Sequence, residues 1–447
     1  MARDFRKAAD AVAAQIAAGR LRPGDRLPTQ RAFARRHGIA ESTASRVYAE
    51  LARRGLVTGE VGRGTFVRAA APAADPALAE PAAARVDLEL NYPVTAGQSE
   101  LLAAGLARLA RPDVLAAALR PSGAAGTPAA RAAVAGLLAR PGWSPDPDAV
   151  LFAGNGRQAI AAALAALVRP GGRVGVEALT YPVVKAVAAR LGITLVPLEC
   201  DGEGLLPGAL AAAHRASPLG AVYVQPTLHN PLGTTMQDRR RAELAAALRE
   251  TGLTAVEDAI WSFLREDAPP PLAAYAPERV VLADSTSKRL APGLTAGFAV
   301  APPELRAPVA AALRSGGWAA AGYALAAVTG WLSDGSATTI AAARRSDARR
   351  RQQIAADALT GLATASGPGS YFCWWQLPAP WRADTFVAAA ARHGIAVTPA
   401  ASFAVGPHRT PAAVRLGLAS PPPEVLRRAL TTLADLARTG PDDVAPE

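Results

Sequence analysis

The chain has 447 residues, half of them hydrophobic, which is enough for two or three folded domains and excludes a disordered protein. The sequence contains no run of about 18 uncharged apolar residues, and its N-terminus has no apolar signal core. We therefore expect neither a membrane span nor export, and we predict a cytoplasmic protein. Cys200 and Cys373 are the only cysteines, which argues against a disulfide framework and against a zinc site.

The net charge of +11 is concentrated at the N-terminus. Residues 1–68 contain 14 Lys or Arg and 6 Asp or Glu, a net charge of +8, whereas the other 379 residues share +3. This basic head indicates a polyanionic partner, although a well-solvated surface explains the charge equally well. Of the 48 basic residues only Lys7, Lys185 and Lys288 are lysine. Because lysine, unlike arginine, can lose its proton and form a Schiff base, a lysine in such a chain is a candidate reactive group.

Residues 1–68 predict three helices followed by a short hairpin. The second helix covers residues 31–37, and the third runs from about Glu41 to Arg53 and is closed by a glycine. Apolar strands over residues 56–58 and 65–67 enclose a Gly-rich loop. Three helices and a β-wing make a winged helix-turn-helix.

Residues 69–84 are almost entirely Ala and Pro, which predicts a semi-stiff linker and a domain boundary. From residue 85 to about 440, short apolar runs alternate with helical stretches, so we predict a buried α/β sheet that binds its ligand at the carboxyl ends of its strands. A smaller α+β subdomain is expected from about residue 305. The predicted strands are residues 150–152, 173–176, 194–198, 221–224, 254–256, 280–283 and 298–300, then 371–377, 396–398 and 414–416.

The N-terminal motifs resemble the GntR family of DNA-binding regulators. The resemblance rests on GDRLPTQR at residues 24–31, on the third helix and on GRGTFV at residues 62–67. It implies double-stranded DNA as a partner, with the N-terminal residues of the third helix near base edges and neighbouring groups on phosphates. The family's contact positions fall on Arg31, Ser42, Thr43 and Gly62, and the helix and wing add Ser45, Arg46 and Arg63.

Two positions of the head depart from the GntR pattern. Glu41 and Ser45 stand where members of the family often carry Arg. Whether these two positions read bases is therefore left open. For any one of the predicted contact residues, a merely solvated surface role is the alternative.

The segment STSKRLAPGL at residues 285–294 resembles the lysine signature of fold-type I enzymes that use pyridoxal phosphate (PLP). It directly follows a predicted strand, where a sheet presents reactive groups. The resemblance implies that Lys288 binds the cofactor covalently and that Ser285 and Ser287 contact its phosphate. The alternative is a surface lysine on a loop.

Further pieces of the same resemblance follow other predicted strands. HNPLG at residues 229–233 is similar to a motif whose Asn, here Asn230, donates to the phenolic oxygen of the cofactor. Asp258 ends a strand and is the candidate carboxylate for the pyridine nitrogen, which must stay protonated for the ring to accept electrons. A helix-capping role for Asp258 is the alternative. Tyr181 follows a strand and is the candidate for stacking on the ring.

A Gly-rich turn and a late arginine complete the candidate site. Asn155, Gly156 and Arg157 open a helix, whose N-terminus presents backbone N–H groups and a positive dipole end to a phosphate. Arg415 matches the arginine that grips a substrate carboxylate in these enzymes.

The order of these pieces, fused to a GntR-like head, resembles the MocR-type regulators. That resemblance implies an aminotransferase-like body that senses PLP, or an amine or amino acid that reacts with it, in a homodimer with swapped heads. Three positions depart from the family pattern. Thr295 replaces a phosphate-binding Arg, Trp261 replaces a tyrosine near the pyridine-binding Asp, and Gly154 with Gly156 replaces hydroxyl residues. These departures predict weaker PLP binding unless Arg157 or Arg289 compensates.

Three functions are compatible with these motifs. The preferred hypothesis is a transcription regulator that uses its PLP fold as a ligand sensor. The second is an active aminotransferase with a DNA-tethering head, for which Lys288, Asp258 and Arg415 would suffice. The third is a DNA-binding protein whose body has lost PLP and serves only in dimerisation or in binding another ligand.

Overall fold

The computed structural model describes residues 4–17, 20–21, 25–54, 56–60, 64–67, 84–119, 122–406 and 410–439. The N-terminal head consists of the helices Asp4–Ala17, Gln30–His37 and Glu41–Arg53 and the antiparallel strands Val57–Glu60 and Gly64–Val67. This is the predicted winged helix-turn-helix. The predicted linker residues 69–83 and the wing residues Gly62 and Arg63 lie outside the described residues.

Local sequence explains where the second helix of the head begins and ends. The hydroxyl of Thr29 accepts a hydrogen bond from the backbone N of Ala32 at 3.2 Å and so caps the first turn. Gly38 follows the helix at φ 63°, a left-handed conformation that glycine adopts without steric cost. Val47 and Leu51 of the third helix are fully buried against the other two, as their spacing predicts.

In the described part of the body, seven strands form a central sheet, and helices cover both of its faces. All neighbouring strands are parallel except Gly297–Val300, which runs antiparallel to both of its neighbours. The central strands are buried along their whole length, which explains their continuous apolar runs. The strand order across the sheet is Val150–Ala153, Gly297–Val300, Val280–Ser285, Ala255–Asp258, Ala221–Val224, Arg173–Glu177 and Thr194–Leu198.

The helices of the large subdomain and its extensions follow the βα alternation of the sequence. They are Gln98–Leu109, Pro112–Ala118, Pro128–Leu138, Gly156–Leu167, Pro182–Arg190, Pro207–Ala216, Asp238–Thr251, Leu272–Tyr275, Pro303–Ser315, Gly322–Ser333 and Ser336–Ala358, with 3₁₀ turns at Pro147–Ala149 and Ser262–Leu264. A small antiparallel hairpin joins Cys200–Asp201 to Gly204–Leu205. No helix within the described ranges is long and apolar enough to cross a membrane.

The C-terminal subdomain is a small antiparallel sheet with two helices, Ala383–Arg392 and Pro423–Thr439, and a 3₁₀ turn at Ala400–Ser402. The strand order of its sheet is Thr364–Ala365, Phe372–Gln376, Ala413–Gly417 and Thr398–Pro399. The predicted strand at residues 396–398 is wrong as one element. Ile395–Ala396 pairs in parallel with Val86–Asp87, whereas Thr398–Pro399 pairs with Ala413–Gly417, so the chain changes sheets at Val397.

The antiparallel strand packs tightly against the turn that follows Val150–Ala153. A Cβ added to Gly297 would lie 2.2 Å from the carbonyl carbon of Asn155, a backbone atom that cannot move away alone. We expect Gly297→Ala to lower the free energy of unfolding by about 1–3 kcal/mol, measured by urea denaturation. Gly136→Ala is the control, because that exposed helix position has open space around it; it should stabilise the protein by about 0.5–1 kcal/mol. Equal stability of Gly297→Ala and wild type would contradict the tight packing.

Candidate active site

A cavity of about 320 Å³ lies at the carboxyl ends of the parallel strands. All of the residues that the body motifs predicted lie around it, although they come from six separate stretches of the chain. The structure therefore brings together the following predicted residues: Asn155, Gly156, Arg157, Tyr181, Asn230, Asp258, Ser285, Ser287, Lys288 and Arg415.

The side chain of Lys288 is half-buried between two aromatic rings. Its Nζ lies 4.7 Å from the ring centre of Tyr92 and 5.3 Å from that of Trp261, and it donates a hydrogen bond to the carbonyl oxygen of Asn91 at 2.5 Å. Burial, together with the positive charges of neighbouring arginines, lowers the pKa of Lys288 to about 7. Near neutral pH a large fraction of this amine is unprotonated, as nucleophilic attack requires.

Arg344 binds the backbone of the loop that carries Lys288. Its guanidinium is fully buried and donates to the carbonyl oxygens of Lys288, Leu290 and Pro93 and, at 3.0 Å, to Oε1 of Gln98. Burial lowers the pKa of Arg344 to about 10. The motifs did not point to this residue, because it lies in the long helix Ser336–Ala358 rather than after a strand.

Asp258 lies at the floor of the cavity and accepts three hydrogen bonds. Its Oδ2 accepts from the hydroxyl of Tyr223 at 2.7 Å and from Nε2 of Gln225 at 2.8 Å, and its Oδ1 accepts from the backbone N of Ile260 at 3.1 Å. Burial raises the pKa of Asp258 to about 6, although these donors oppose the shift. Tyr223 and Gln225 were missed in the sequence. The sequence signal that could have identified them was the strand Ala221–Val224, because it leads to Asn230.

One end of the cavity is rich in hydrogen-bond donors. The hydroxyls of Ser285 and Ser287 lie 2.7 Å apart, next to the first turn of the helix Gly156–Leu167. Asn155 caps that helix by accepting from Gln158 N at 3.0 Å. A Cβ on Gly156 would lie 3.2 Å from Oγ of Ser285, so this glycine allows the helix end to approach the serines closely. Such a group of hydroxyls and free N–H groups suits a phosphate.

Arg157 and Tyr181 form a pair on the cavity wall. The charge interaction with the phenol of Tyr181 raises the pKa of Arg157, whereas burial raises the pKa of Tyr181. Arg157 is therefore at the cavity, where it can supply positive charge.

Arg415 enters the cavity from the strand Ala413–Gly417 of the C-terminal subdomain. It donates to the carbonyl oxygen of Glu89, to Oγ1 of Thr398 at 3.1 Å and to Oδ1 of Asn230 at 3.4 Å, and it lies 5.2 Å from the ring centre of Phe403. Burial lowers the pKa of Arg415 to about 10. Its buried Nε has no hydrogen-bond partner within the described residues, and the side chain lines the cavity.

The structure resolves two of the departures noted in the sequence. Arg289 cannot compensate for the missing phosphate contact, because its Nη2 is bonded to Asp284 Oδ2 at 2.7 Å and its guanidinium stacks on Phe263. Thr295 lines the cavity, and its hydroxyl lies 3.3 Å from that of Thr286. A short neutral side chain therefore stands where the family pattern has a long cationic one. Trp261 contributes an aromatic wall beside Lys288 instead of a hydroxyl.

A segment that the motifs did not identify closes one side of the cavity. We call residues 86–93 the strap; its residues Glu89, Leu90, Asn91 and Tyr92 line the cavity. The strap is bound to the chain that follows Arg415 by backbone and side-chain hydrogen bonds. These join Gly417 N to Leu88 O at 2.6 Å, Ala419 N to Asn91 Oδ1 at 3.1 Å and Ser420 Oγ to Leu90 O at 2.7 Å. The polar pair Asn91-Tyr92, a few residues after the Ala- and Pro-rich linker, was the available signal.

The predicted DNA-binding residues that the structure describes lie on the second and third helices of the head. Arg31, Ser42, Ser45 and Arg46 are exposed and Thr43 is half-buried, all at the start of the second and third helices. Nε of Arg31 lies 3.5 Å from Oε1 of Glu41, an exposed ion pair that contributes little and leaves Arg31 free to exchange partners. Arg46 stacks 5.3 Å from the ring centre of Phe5, which holds its guanidinium on the helix side.

The chain matches two family models. The aminotransferase class I and II family covers residues 118–433, and the gntR family of bacterial regulatory proteins covers residues 5–67. Among curated proteins, the chain is 28% identical over 90% of its length to the uncharacterized HTH-type transcriptional regulator YdeF of Bacillus subtilis, covering 87% of that protein. It is 29% identical to the HTH-type transcriptional regulator TauR of Rhodobacter capsulatus, over 67% of each chain.

Solved structures are similar to the body at low sequence identity. An archaeal alanine:glyoxylate aminotransferase matches with a TM-score of 0.71 and 21% identity over 79% of this chain and 90% of its own. LysN, the α-aminoadipate aminotransferase of Thermus thermophilus, was solved with N-(5'-phosphopyridoxyl)-L-leucine and matches with a TM-score of 0.70 and 23% identity over 79% of this chain and 92% of its own. These matches confirm the predicted fold class.

The lowered pKa of Lys288 makes its reactivity testable against an ordinary lysine. An amine attacks an aldehyde only when it is neutral, so reductive labelling of Lys288 in the cofactor-free protein should rise with a midpoint near pH 7. Labelling of a short lysine-containing peptide in the same sample, read by mass spectrometry, should still be rising at about pH 9, below the ordinary lysine pKa of about 10.4. Parallel pH profiles for Lys288 and the peptide would show that the burial of Lys288 does not shift its pKa.

Proposed function

Because this chain belongs to the aminotransferase class I and II family and joins that fold to a GntR-type head, as MocR-type transcriptional regulators do, we propose that it is a regulator that holds PLP through Lys288 and senses an amine or amino acid there. The observation that carries the proposal is the lowered pKa of Lys288 in the same cavity as the buried carboxyl of Asp258. Burial disfavours the charged form of each group, so a single ligand that contacts both groups would be favoured in this cavity.

The residues of the cavity fit PLP. Asp258, steadied by Tyr223 and Gln225, would bind the pyridine nitrogen, and Asn230 lies in the same cavity to reach the phenolic oxygen. The hydroxyls of Ser285 and Ser287 and the helix end at Gly156 would bind the phosphate. The bound cofactor would supply an aldehyde carbon that captures amines. Arg415, which lines the cavity, would bind a carboxylate of the effector.

The strap offers a route from the cavity to the DNA-binding head. Lys288 and Arg415 both donate to its carbonyl oxygens, at Asn91 and Glu89, and the strap follows directly after the linker to the head. A second contact joins head and body: Oδ1 of Asp10 accepts from Arg54 of the head at 2.8 Å and from Arg382 of the C-terminal subdomain at 2.7 Å. A ligand that changes the partners of Lys288 or Arg415 would therefore bias the position of the head.

We also propose a homodimer. Large apolar side chains are exposed on neighbouring helices of the body, at Leu115, at Tyr323 and just after a helix at Leu119, which is 85% exposed. Val94, at the end of the strap, is 69% exposed. Exposed apolar side chains on neighbouring helices are typical of a protein–protein interface.

The direct test is to measure cofactor and DNA binding in the same variants. Wild-type protein incubated with PLP should gain visible absorbance that Lys288→Arg lacks, and an amine effector should shift DNA affinity, in a selected DNA library, only in the wild type. Lys185→Arg is the matched control and should behave as wild type, since Lys185 donates to the carbonyl of Ser402 away from the cavity lining. A colourless wild type after addition of PLP would contradict the cofactor proposal.

The DNA-binding role of the head is tested by the salt dependence of binding. Arg31→Ala should weaken binding to all sequences about equally and reduce the slope of log affinity against log salt by about one, because a phosphate contact releases about one counterion. Arg173→Ala, at the start of a sheet strand in the body, should leave the slope unchanged. An unchanged slope for Arg31→Ala would place Arg31 outside the DNA interface.

An active aminotransferase remains the second candidate, because Arg415 and Lys288 share one cavity as a substrate-processing site requires. Single-turnover mixing of the PLP-loaded protein with a panel of amino acids separates the two. Rapid conversion of the cofactor to its amine form by several amino acids would favour the enzyme, and binding without conversion would favour the sensor.

A further inference from the structure

One carboxylate of the cavity has no role in holding the cofactor. Asp258 is bonded to Tyr223 and Gln225, and Asp284 is bonded to Arg289. Glu89 also lines the cavity, and its carboxylate makes no hydrogen bond or ion pair with any residue in the described part of the chain. A half-buried residue of the cavity lining whose carboxylate has no such partner is available to a ligand.

The backbone holds Glu89 in this place. Asp87 Oδ1 accepts from the backbone N of Glu89 at 2.7 Å and from that of Leu90 at 3.1 Å, which fixes the turn. On either side of Glu89, the carbonyls of Leu88 and Leu90 accept from Gly417 N and Ser420 Oγ. Glu89 is therefore a built feature of the cavity wall rather than a side chain on a loose loop.

The charges around Arg415 require a further cation when a carboxylate binds. Arg415 contributes one positive charge, and the carboxylates that act on it are those of Glu89 and Asp87. A ligand carboxylate on Arg415 adds a third negative charge to this half-buried region, where like charges repel strongly. Arg157 also lines the cavity, but its charge acts on Lys288 rather than on Arg415. A positive group on the ligand, placed near Glu89, would restore the balance.

We propose that the cavity selects an amino acid that carries a second cationic group, an amine or a guanidinium, which Glu89 binds while Arg415 binds the carboxylate. This inference rests on the proposed function, because the first amino group of the ligand is the one directed to Lys288.

The test compares lysine with norleucine, which has the same carbon chain without the terminal ammonium. Binding to the PLP-loaded full-length protein is measured by calorimetry, with ornithine and arginine included to vary the reach. We expect the best of the dibasic amino acids to bind wild type about tenfold more tightly than norleucine, a difference typical of one charged hydrogen bond. Glu89→Gln should reduce this preference to about threefold or less, whereas the exposed Glu250→Gln should keep it.

The visible absorbance of each loaded variant shows whether its fold and cofactor site are intact. If Glu89→Gln does not bind PLP, the role of Glu89 is tested with the charge reversal Glu89→Lys and with the selectivity of the wild type. Glu89→Lys should bind glutamate more tightly than lysine. Dibasic amino acids that bind wild type no more tightly than norleucine would overturn this inference and leave the proposed function standing. A preference that survives in Glu89→Gln would overturn the role of Glu89. Failure of every amino acid to bind would overturn both proposals.

Discussion

The structure of the cavity depends on the burial of one amine among positive charges. Nζ of Lys288 has a neutral carbonyl as its hydrogen-bond acceptor and aromatic rings on its sides, and Arg157, Arg415 and Arg344 all disfavour its protonation. This arrangement needs lysine at 288 and arginine around it. Arginine stays charged when it is buried, whereas lysine gives up its proton, so an arginine-rich chain isolates the single group that can react.

Asp258 is perturbed in the opposite direction by the same burial. The pKa of this carboxyl is raised to about 6 and that of Lys288 is lowered to about 7, because burial disfavours the charged form of each. A raised carboxyl pKa makes the unbound fold less stable as the pH rises through about 6, and a lowered lysine pKa makes it less stable as the pH falls from about 10.5 to about 7. A ligand that places a cation on Asp258 and an electrophile on Lys288 relieves both costs, which is a source of binding energy that needs no large contact area.

Sequence patterns predicted the elements that carry the chemistry but not those that hold them. Lys288, Asp258 and Asn230 follow strands, and because parallel strands end at one edge of a sheet, their placement in one cavity follows from the strand assignment. Arg344 acts from a helix more than 50 residues away, and the strap is placed by long-range hydrogen bonds to the chain after Arg415, so no local pattern marks them. The pairing of Arg289 with Asp284 likewise depends on a rotamer rather than on spacing.

The position of the strap in the chain connects the cavity to the linker that leads to the head. The strap is bonded to Lys288 and Arg415 on its cavity side and to residues 417–420 on its other side, so a ligand that takes over the first set of donors leaves the second set in place. An Ala- and Pro-rich linker is stiffer than a Gly- and Ser-rich one, and a stiff linker passes on a small displacement that a flexible coil would absorb. Under the proposed sensing function, the composition of the linker would therefore matter as much as the pocket that binds the ligand.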